Sequence, residues 1–117
     1  MSDFLLILHD PIDSRFQALS PEEMQSVIAK YGEWAGQMAE QGRLKGGNKL
    51  EDGTARHLVG SIGQATVTDG PFPETKEVVG GYLLISAESY EQAVEIASTC
   101  PHLDFGRIEV RRIDPTA

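Results

Sequence analysis

The sequence has few of the features that would narrow its function at once. It contains one cysteine, Cys100, so no internal disulfide can form and a reducing cytoplasm is the expected compartment. Its longest uninterrupted apolar run is Phe4–Leu8, far shorter than the roughly 20 residues that cross a bilayer. The first residues also lack the basic start and apolar stretch of a secretory signal. The sequence therefore predicts a cytoplasmic protein with no membrane segment.

Basic residues are scarce as well. The chain carries 10 lysines and arginines against 18 aspartates and glutamates, a formal net charge of −8. Such a surface repels a phosphate backbone, so a nucleic-acid partner is not expected. His9, His57 and His102 have no regular spacing with one another or with the cysteine, which argues against a zinc site. Phosphate-loop and serine-nucleophile motifs are also missing, and the sequence predicts no cofactor.

What the chain does have is the composition of a globular domain. Its 117 residues, 40% hydrophobic and 24% charged, predict one domain over 1–117 with one modest core. Ser20-Pro21-Glu22-Glu23 resembles a capping box and predicts a long helix, which Gly42 ends. Ser89-Tyr90-Glu91-Gln92 predicts a shorter helix, which Pro101 ends. Short apolar or alternating segments predict strands at the following positions: Phe4–Leu8, Leu44–Leu50, Ala55–Val59, Ala65–Thr68, Val78–Ile85 and Arg107–Ile113.

This order of elements predicts an α+β fold, a ferredoxin-like βαββαβ arrangement with extra hairpin strands between residues 44 and 68. Phe4–Leu8 and Val78–Ile85 are apolar at successive positions. Since successive side chains of a strand point to opposite faces, both faces of these central strands are expected to be buried. Two helices cover only one face, so we expect a second copy of the sheet to cover the other. The sequence thus predicts a homodimer through the sheet face.

The most specified segment of the chain is Asp69–Tyr82. Two prolines and Gly70 fix a turn, ionisable side chains follow, and Gly80-Gly81 opens an apolar strand. Glycine at the start of a buried strand costs backbone entropy. A close approach of another backbone, a bulge or a bound ligand would each explain its presence there.

Residues Thr68–Glu77, followed by Gly80-Gly81-Tyr82, resemble the signature of the DGPF-domain or YCII-related proteins, and Leu19–Met24 and Gly106–Arg111 extend the resemblance. It implies a ferredoxin-like domain of the dimeric α/β-barrel superfamily, which includes isomerases, cofactor-independent oxygenases and haem proteins. Some DGPF proteins accompany extracytoplasmic-function sigma factors. YCII-related proteins have been proposed to use a His–Asp pair in a cleft.

His9 and Asp69 are the first candidates for acid–base chemistry. His9 closes the first strand, where strand ends deliver side chains to a cleft, and an aspartate could orient its ring. The alternatives are a histidine that hydrogen-bonds its own loop and an aspartate that accepts bonds from the amides of its own turn. Whether the two side chains meet stays open at this point.

Glu74 and Lys76 are the other catalytic candidates. In a loop folded over a pocket, the lysine would bind an anionic group and the glutamate would transfer protons; the alternative is a solvated ion-pair network. Further residues are expected to line the cleft or to shape the motif, with packing or ion pairing as their plainer role: Gly70, Pro71, Phe72, Glu77, Gly80, Gly81, Tyr82, Glu109 and Arg111.

Functions of different classes therefore remain open. The first is a small enzyme whose dimer cleft holds His9, Asp69, Glu74 and Lys76 and performs metal-independent acid–base chemistry on a small molecule. The second is a binding or regulatory module that holds a ligand in the same cleft or contacts a transcription factor. A third, plainer interpretation makes the motif a structural brace for the dimer.

Overall fold

The computed structural model describes residues 1–12, 18–70 and 76–116. Within these residues the elements follow the predicted order, with bounds close to the predicted ones. They are β1 (Ser2–Pro11), α1 (Pro21–Glu40), β2 (Leu44–Lys49), β3 (Arg56–Val59), β4 (Thr66–Asp69), β5 (Glu77–Ala87), α2 (Tyr90–Ser98), a 3₁₀ turn (Pro101–Asp104) and β6 (Arg107–Arg112).

Two sheets are formed by the strands of the described residues. One is a four-stranded antiparallel sheet in the order β2-β5-β1-β6, and the other pairs β3 with β4. The strands β2 and β3 follow each other in the chain but join different sheets. With the β3–β4 hairpin set aside, the elements have the βαββαβ order. The predicted α+β, ferredoxin-like fold with extra hairpin strands is confirmed.

Local signals explain where α1 begins and ends. The Ser20 hydroxyl accepts a hydrogen bond from the Glu23 amide, and the Glu23 carboxylate accepts one from the Ser20 amide, so the predicted capping box is complete. At the other end Gly42 has a φ of 71°, and its amide binds the Ala39 carbonyl while the Arg43 amide binds that of Met38. These two bonds form a Schellman motif, which glycine permits because it lacks a Cβ.

The second helix is capped in a different way from the one its sequence predicts. The Ser89 hydroxyl accepts a bond from the Gln92 amide, as expected. The Gln92 side chain, however, accepts from the amide of Glu88 and not from that of Ser89. The reciprocal bond is therefore donated by the amide of Glu88, the residue before the cap, which lies between the end of β5 and the start of α2.

The hydrophobic core lies on one face of the large sheet. Phe4 and Leu6 of β1 and Ile85 of β5 are fully buried against Ile96 of α2 and Trp34 of α1. Along β1, buried and half-buried residues alternate, so the face opposite the helices is only partly covered in the single chain. No helix in the described part of the chain is long and apolar enough to span a membrane.

Candidate functional site

The end of β1 sends two neighbouring ionisable side chains to opposite faces of the sheet. His9 lies on the open face, where its Nε2 is 2.9 Å from the Glu109 carboxylate of β6. Asp10 follows the parity of Leu8 and lies on the helix face, where its Oδ1 is 3.6 Å from Nε2 of His102. The strand therefore places a carboxyl group under the helices, not a histidine.

A cavity of about 440 Å³ lies on this helix face, between the first half of α1 and the strands β1, β2 and β5. This volume falls in the range of about 300–1,000 Å³ that is typical of small-molecule sites. Its apolar wall comes from five side chains: Leu8, Met24, Val27, Ile28 and Leu83. Polar residues and glycines complete the lining: Asp10, Tyr31, Gly47, Asn48, Lys49, Asp52, Gly80, Gly81, Tyr82 and His102.

The ring of His102 is held in one orientation by its neighbours. The ring is buried, its Nε2 is 2.9 Å from the carbonyl oxygen of His9, and its Nδ1 is 3.1 Å from the Tyr31 hydroxyl. A carbonyl oxygen only accepts, so Nε2 carries the hydrogen; when the ring is neutral, Nδ1 then accepts from the hydroxyl. The imidazole is thus fixed between the end of β1 and α1.

Asp10 is under-satisfied in this setting. Its side chain is 15% exposed, and its buried Oδ1 has no hydrogen-bond partner among residues 1–12, 18–70 and 76–116. Burial raises the pKa of Asp10, and the charge that His102 would carry if protonated opposes this shift only in part. A carboxyl group in such a place gains more from accepting a proton than a carboxyl group in water does.

Tyr31 completes the polar end of the cavity. Burial raises the pKa of its phenol above the ordinary value, so the hydroxyl keeps its proton near neutral pH. The hydroxyl oxygen is 3.1 Å from Nδ1 of His102, to which it donates when that ring is neutral. The hydroxyl oxygen is left with lone pairs that can accept a hydrogen bond.

Gly80 and Gly106 leave room for the side chains of Asp10 and His102. The ladder between β1 and β5 shifts after Leu8, so that Gly80 lies opposite no residue of β1, and a Cβ built at Gly80 would overlap the Asp10 carboxylate. A Cβ at Gly106 would overlap the His9 carbonyl and lie 2.8 Å from Nε2 of His102. Of the explanations that the sequence left open for Gly80, the bulge is the one observed.

The open face carries a second ionisable cluster, which includes several residues of the predicted site. A hydrogen bond from His9 lowers the pKa of Glu109, and Arg111 lies 3.9 Å from the same carboxylate. Glu77 binds Arg107 at 2.8 Å. Glu109 is thus paired with His9 and Arg111, on the face away from the cavity.

The remaining predicted site residues are dispersed. Asp69 lies in β4, 79% exposed, and its carboxylate binds Arg56 at 3.1 Å, whereas the carboxylate beside His9 is that of Glu109. The Lys76 carbonyl accepts a bond from the Ile12 amide, and Gly70 has a φ of 74° in its turn. Tyr82 accepts a bond from Asn48 at 2.9 Å. Pro71, Phe72 and Glu74 lie outside the described residues, and the catalytic roles of the motif stay predictions.

Asp10, Tyr31 and His102 were missed as site residues by the sequence analysis. A signal for Asp10 was available, because parity along β1 separates it from His9 and places it with Leu6 and Leu8. His102 had no such signal, since its contact with β1 joins positions 93 residues apart. Within residues 1–12, 18–70 and 76–116, no group of three or more metal-ligating side chains occurs.

A family model, a sequence relative and a solved structure show similarity to this chain. The model of the YCII-related domain matches residues 4–117. An uncharacterised protein of Rhizobium meliloti (strain 1021) is 35% identical over 105 residues, which is 85% of this chain and 82% of that protein. A solved structure of 5-chloro-2-hydroxyhydroquinone dehydrochlorinase from Burkholderia phenoliruptrix, in complex with 2,5-dihydroxybenzoquinone, aligns with a TM-score of 0.49. That alignment is 17% identical and covers 96% of this chain and 93% of the other.

Proposed function

The chain belongs to the YCII-related family, and from that premise we propose that its helix-face cavity binds a small molecule and exchanges a proton with it. Asp10 is the proton acceptor in this proposal. His102 is a positioning residue that holds its N–H beside the carboxyl group, and Tyr31 fixes the ring of His102. The function is acid–base chemistry performed by the side chains of the chain itself.

The observation that carries the proposal is the state of the Asp10 carboxyl group. It lines a largely apolar cavity, and within the described part of the chain its buried Oδ1 has no hydrogen-bond partner. Leaving an ionised oxygen in that state costs free energy. Such a group does little to stabilise the fold. Its raised pKa, however, suits a general base that works near neutral pH.

Hydrogen exchange in deuterium oxide tests the proposal with simple carbon acids in place of the unidentified substrate. We would incubate the protein with phenylacetone and 4-hydroxyphenylacetone, which carry acidic C–H groups, and follow deuterium uptake by NMR. The wild type is expected to accelerate uptake, and Asp10→Asn should lose about 100-fold or more of that acceleration, the usual share of a positioned base. The matched control is Glu95→Gln, which removes an exposed carboxylate on α2, away from the cavity.

Two outcomes would contradict this chemistry. One is an Asp10→Asn protein that exchanges the probes as fast as the wild type does. The other is a probe that binds in the cavity, as seen in the amide shifts of α1, without any accelerated exchange. The second outcome would leave a binding site and remove the proton transfer.

A non-enzymatic module is the second candidate, and one observation favours it. The β3–β4 hairpin exposes apolar side chains, with Leu58 at 66%, Val67 at 55% and Ile62 at 104% exposure. Contiguous exposed apolar surface is typical of protein contacts. In this alternative the cavity holds a ligand and the hairpin contacts a regulatory protein. Probe binding without exchange in the wild type would favour this candidate over the enzyme.

We further propose that a second copy of the chain covers the open face of the large sheet. Leu5 and Ile7 of β1 and Leu84 of β5 lie on that face and are only half-buried in the single chain. Apolar side chains in the centre of a sheet face are stabilised when another layer packs on them. The single Cys100, which is buried and free, is in keeping with the expected cytoplasmic location.

A further inference from the structure

We infer that the cavity takes a compact, mostly apolar molecule that carries an O–H or N–H donor and no carboxylate or phosphate group. The inference rests on the proposed function for the location of the site, and it names the ligand class that the site would select. Three independent properties of the cavity support it: its hydrogen-bond capacity, its charge and its shape.

Hydrogen-bond capacity at the polar end favours a donor on the ligand. The two donors there are engaged: Nε2 of His102 with the His9 carbonyl, and the Tyr31 hydroxyl with Nδ1 of His102. What remains is acceptor capacity, from the ionised Asp10 carboxylate and from the lone pairs of the Tyr31 oxygen. A ligand without a donor would leave these acceptors unpaired away from water, which costs free energy.

Other polar residues of the lining direct their side chains elsewhere, because Asn48 and Tyr82 pair in register with Ile7 of the open face. The Asn48 amide donates to the Tyr82 hydroxyl at 2.9 Å. Lys49 donates to the Leu50 carbonyl at 3.1 Å and to the Asp52 carboxylate at 3.3 Å. Lys49 keeps one N–H outside these bonds, but its side chain is 73% exposed, so an acceptor group of the ligand would compete with water there.

Charge in the cavity lining disfavours an anion. Lys49 is the cationic side chain of the lining in the described part of the chain, and Asp52 balances it as an ion pair. The ionised Asp10 therefore leaves the lining with a negative sum, and the whole chain has a formal net charge of −8. A carboxylate or phosphate brought next to Asp10 would meet repulsion in a partly desolvated place, where like charges interact strongly.

Shape and polarity decide the rest of the ligand. The wall formed by α1 and the strands is apolar, and a volume of about 440 Å³ accommodates a single substituted ring. Burial of such a ring stabilises the complex by roughly 25 cal/mol per Å² of apolar surface, before the cost of association. The favoured ligand is thus a ring or a short branched chain with one donor at its polar end.

Three matched probes test the inference: phenol, its methyl ether anisole, and benzoate. Binding would be measured by NMR titration of the ¹⁵N-labelled protein, with amide shifts in α1 and β5 as the sign of occupation of the cavity. We expect phenol to bind at least about tenfold more tightly than anisole, which corresponds to one hydrogen bond of about 1.4 kcal/mol. Benzoate should bind more weakly than phenol.

Two variants place the discrimination at Asp10. Asp10→Asn weakens the acceptor, because a neutral amide accepts less strongly than a carboxylate, so the ratio of phenol to anisole affinity should fall toward one. Glu95→Gln should keep the wild-type ratio. Val27→Phe adds volume on the cavity wall and should weaken phenol and anisole together while their ratio changes little.

The inference is overturned if anisole binds the wild type as tightly as phenol, or if benzoate binds most tightly. Shifts confined to residues outside the cavity would overturn it as well. Its failure can be told from failure of the proposed function. Selective phenol binding without deuterium exchange removes only the chemistry, whereas exchange that depends on Asp10 but ignores the phenolic hydroxyl of the probe removes only the ligand class.

Discussion

At the scale of single residues, the Asp10 carboxyl group lies against Gly80, where a side chain has no room. A Cβ at that position would overlap the carboxylate, so Gly80→Ala must displace Asp10 or the bulge. We expect a loss of about 1–3 kcal/mol in the free energy of unfolding, the usual cost of overpacking, together with loss of phenol binding. Urea denaturation measures the first and NMR titration the second. Gly32→Ala is the control: apart from its own stretch of helix, the described residues place no atom within 4 Å of an added Cβ, and alanine should stabilise α1 by about 0.5–1 kcal/mol. Equal effects of the two variants would contradict the expectation.

The raised pKa of Asp10 predicts a pH-dependent cost to stability. A carboxyl group with a higher pKa in the folded than in the unfolded chain holds its proton more tightly when folded, so stability falls as the pH rises from near 3.8 through the folded pKa. Asparagine cannot ionise and escapes this loss. Asp10→Asn should therefore exceed the wild type in unfolding free energy by more at pH 7 than at pH 3.5, as measured by urea titration. Glu95→Gln is the control for the loss of one charge. A stability difference between Asp10→Asn and the wild type that is largest at acid pH would contradict the raised pKa of Asp10.

Sequence could lead to part of this site and not to the rest, for reasons that lie in particular residues. Alternation along β1 separates His9 from Asp10, and counting it to the end of the strand would have directed attention to Asp10. His102 follows the end of α2 in a 3₁₀ turn, and its bond to the His9 carbonyl depends on how α2 packs on the sheet. Such a contact across 93 residues leaves no local pattern to read.

At the scale of elements, α1 has two different tasks along its length. Its second half is anchored in the core by Trp34 and Met38, which are buried. Its first half carries Val27 and Ile28 over the cavity, and Ile28 is 62% exposed. Packing therefore holds the end of the helix, while the beginning depends more heavily on its cap.

The cap of α1 is accordingly a place where a small change should have a measurable effect. Ser20→Ala removes the hydroxyl that accepts from the Glu23 amide and should lower the free energy of unfolding by about 1 kcal/mol. Thermal or urea denaturation measures the change. Ser26→Ala, an exposed position inside the same helix, is the control and should be neutral or slightly stabilising. An equal loss in both variants would show that the cap contributes nothing specific.

The elements were easier to predict than the way they pair. A serine cap and a terminal glycine indicate the two ends of α1. Both signals are local, so they can be recognised in the sequence alone. The bulge at Gly80 and the division of β2 and β3 between two sheets arise from partners far along the chain. A glycine pair at the start of β5 indicated an irregularity there but did not specify its kind.

At the scale of the whole molecule, the proposed dimer makes the open sheet face the decisive surface. Light scattering at micromolar concentration should give twice the chain mass of 12.8 kDa, and Ile7→Lys, at the centre of that face, should give the single mass. Since each copy has a formal net charge of −8, added salt should strengthen association by screening their repulsion. Val94→Lys on the exposed side of α2 is the control and should leave the dimer intact. A wild type that scatters as a monomer would exclude the dimer.

His9 is bonded on both sides of the sheet at once, through its ring to Glu109 on the open face and through its carbonyl to His102 on the cavity side. If both proposed binding events occur, His9 therefore connects the open face with His102, a residue of the cavity lining. Thermodynamic linkage then applies: whatever factor a cavity ligand imposes on the association of two copies, association must impose on the affinity for that ligand. The cavity and the dimer face would then be coupled across the thickness of one strand, β1.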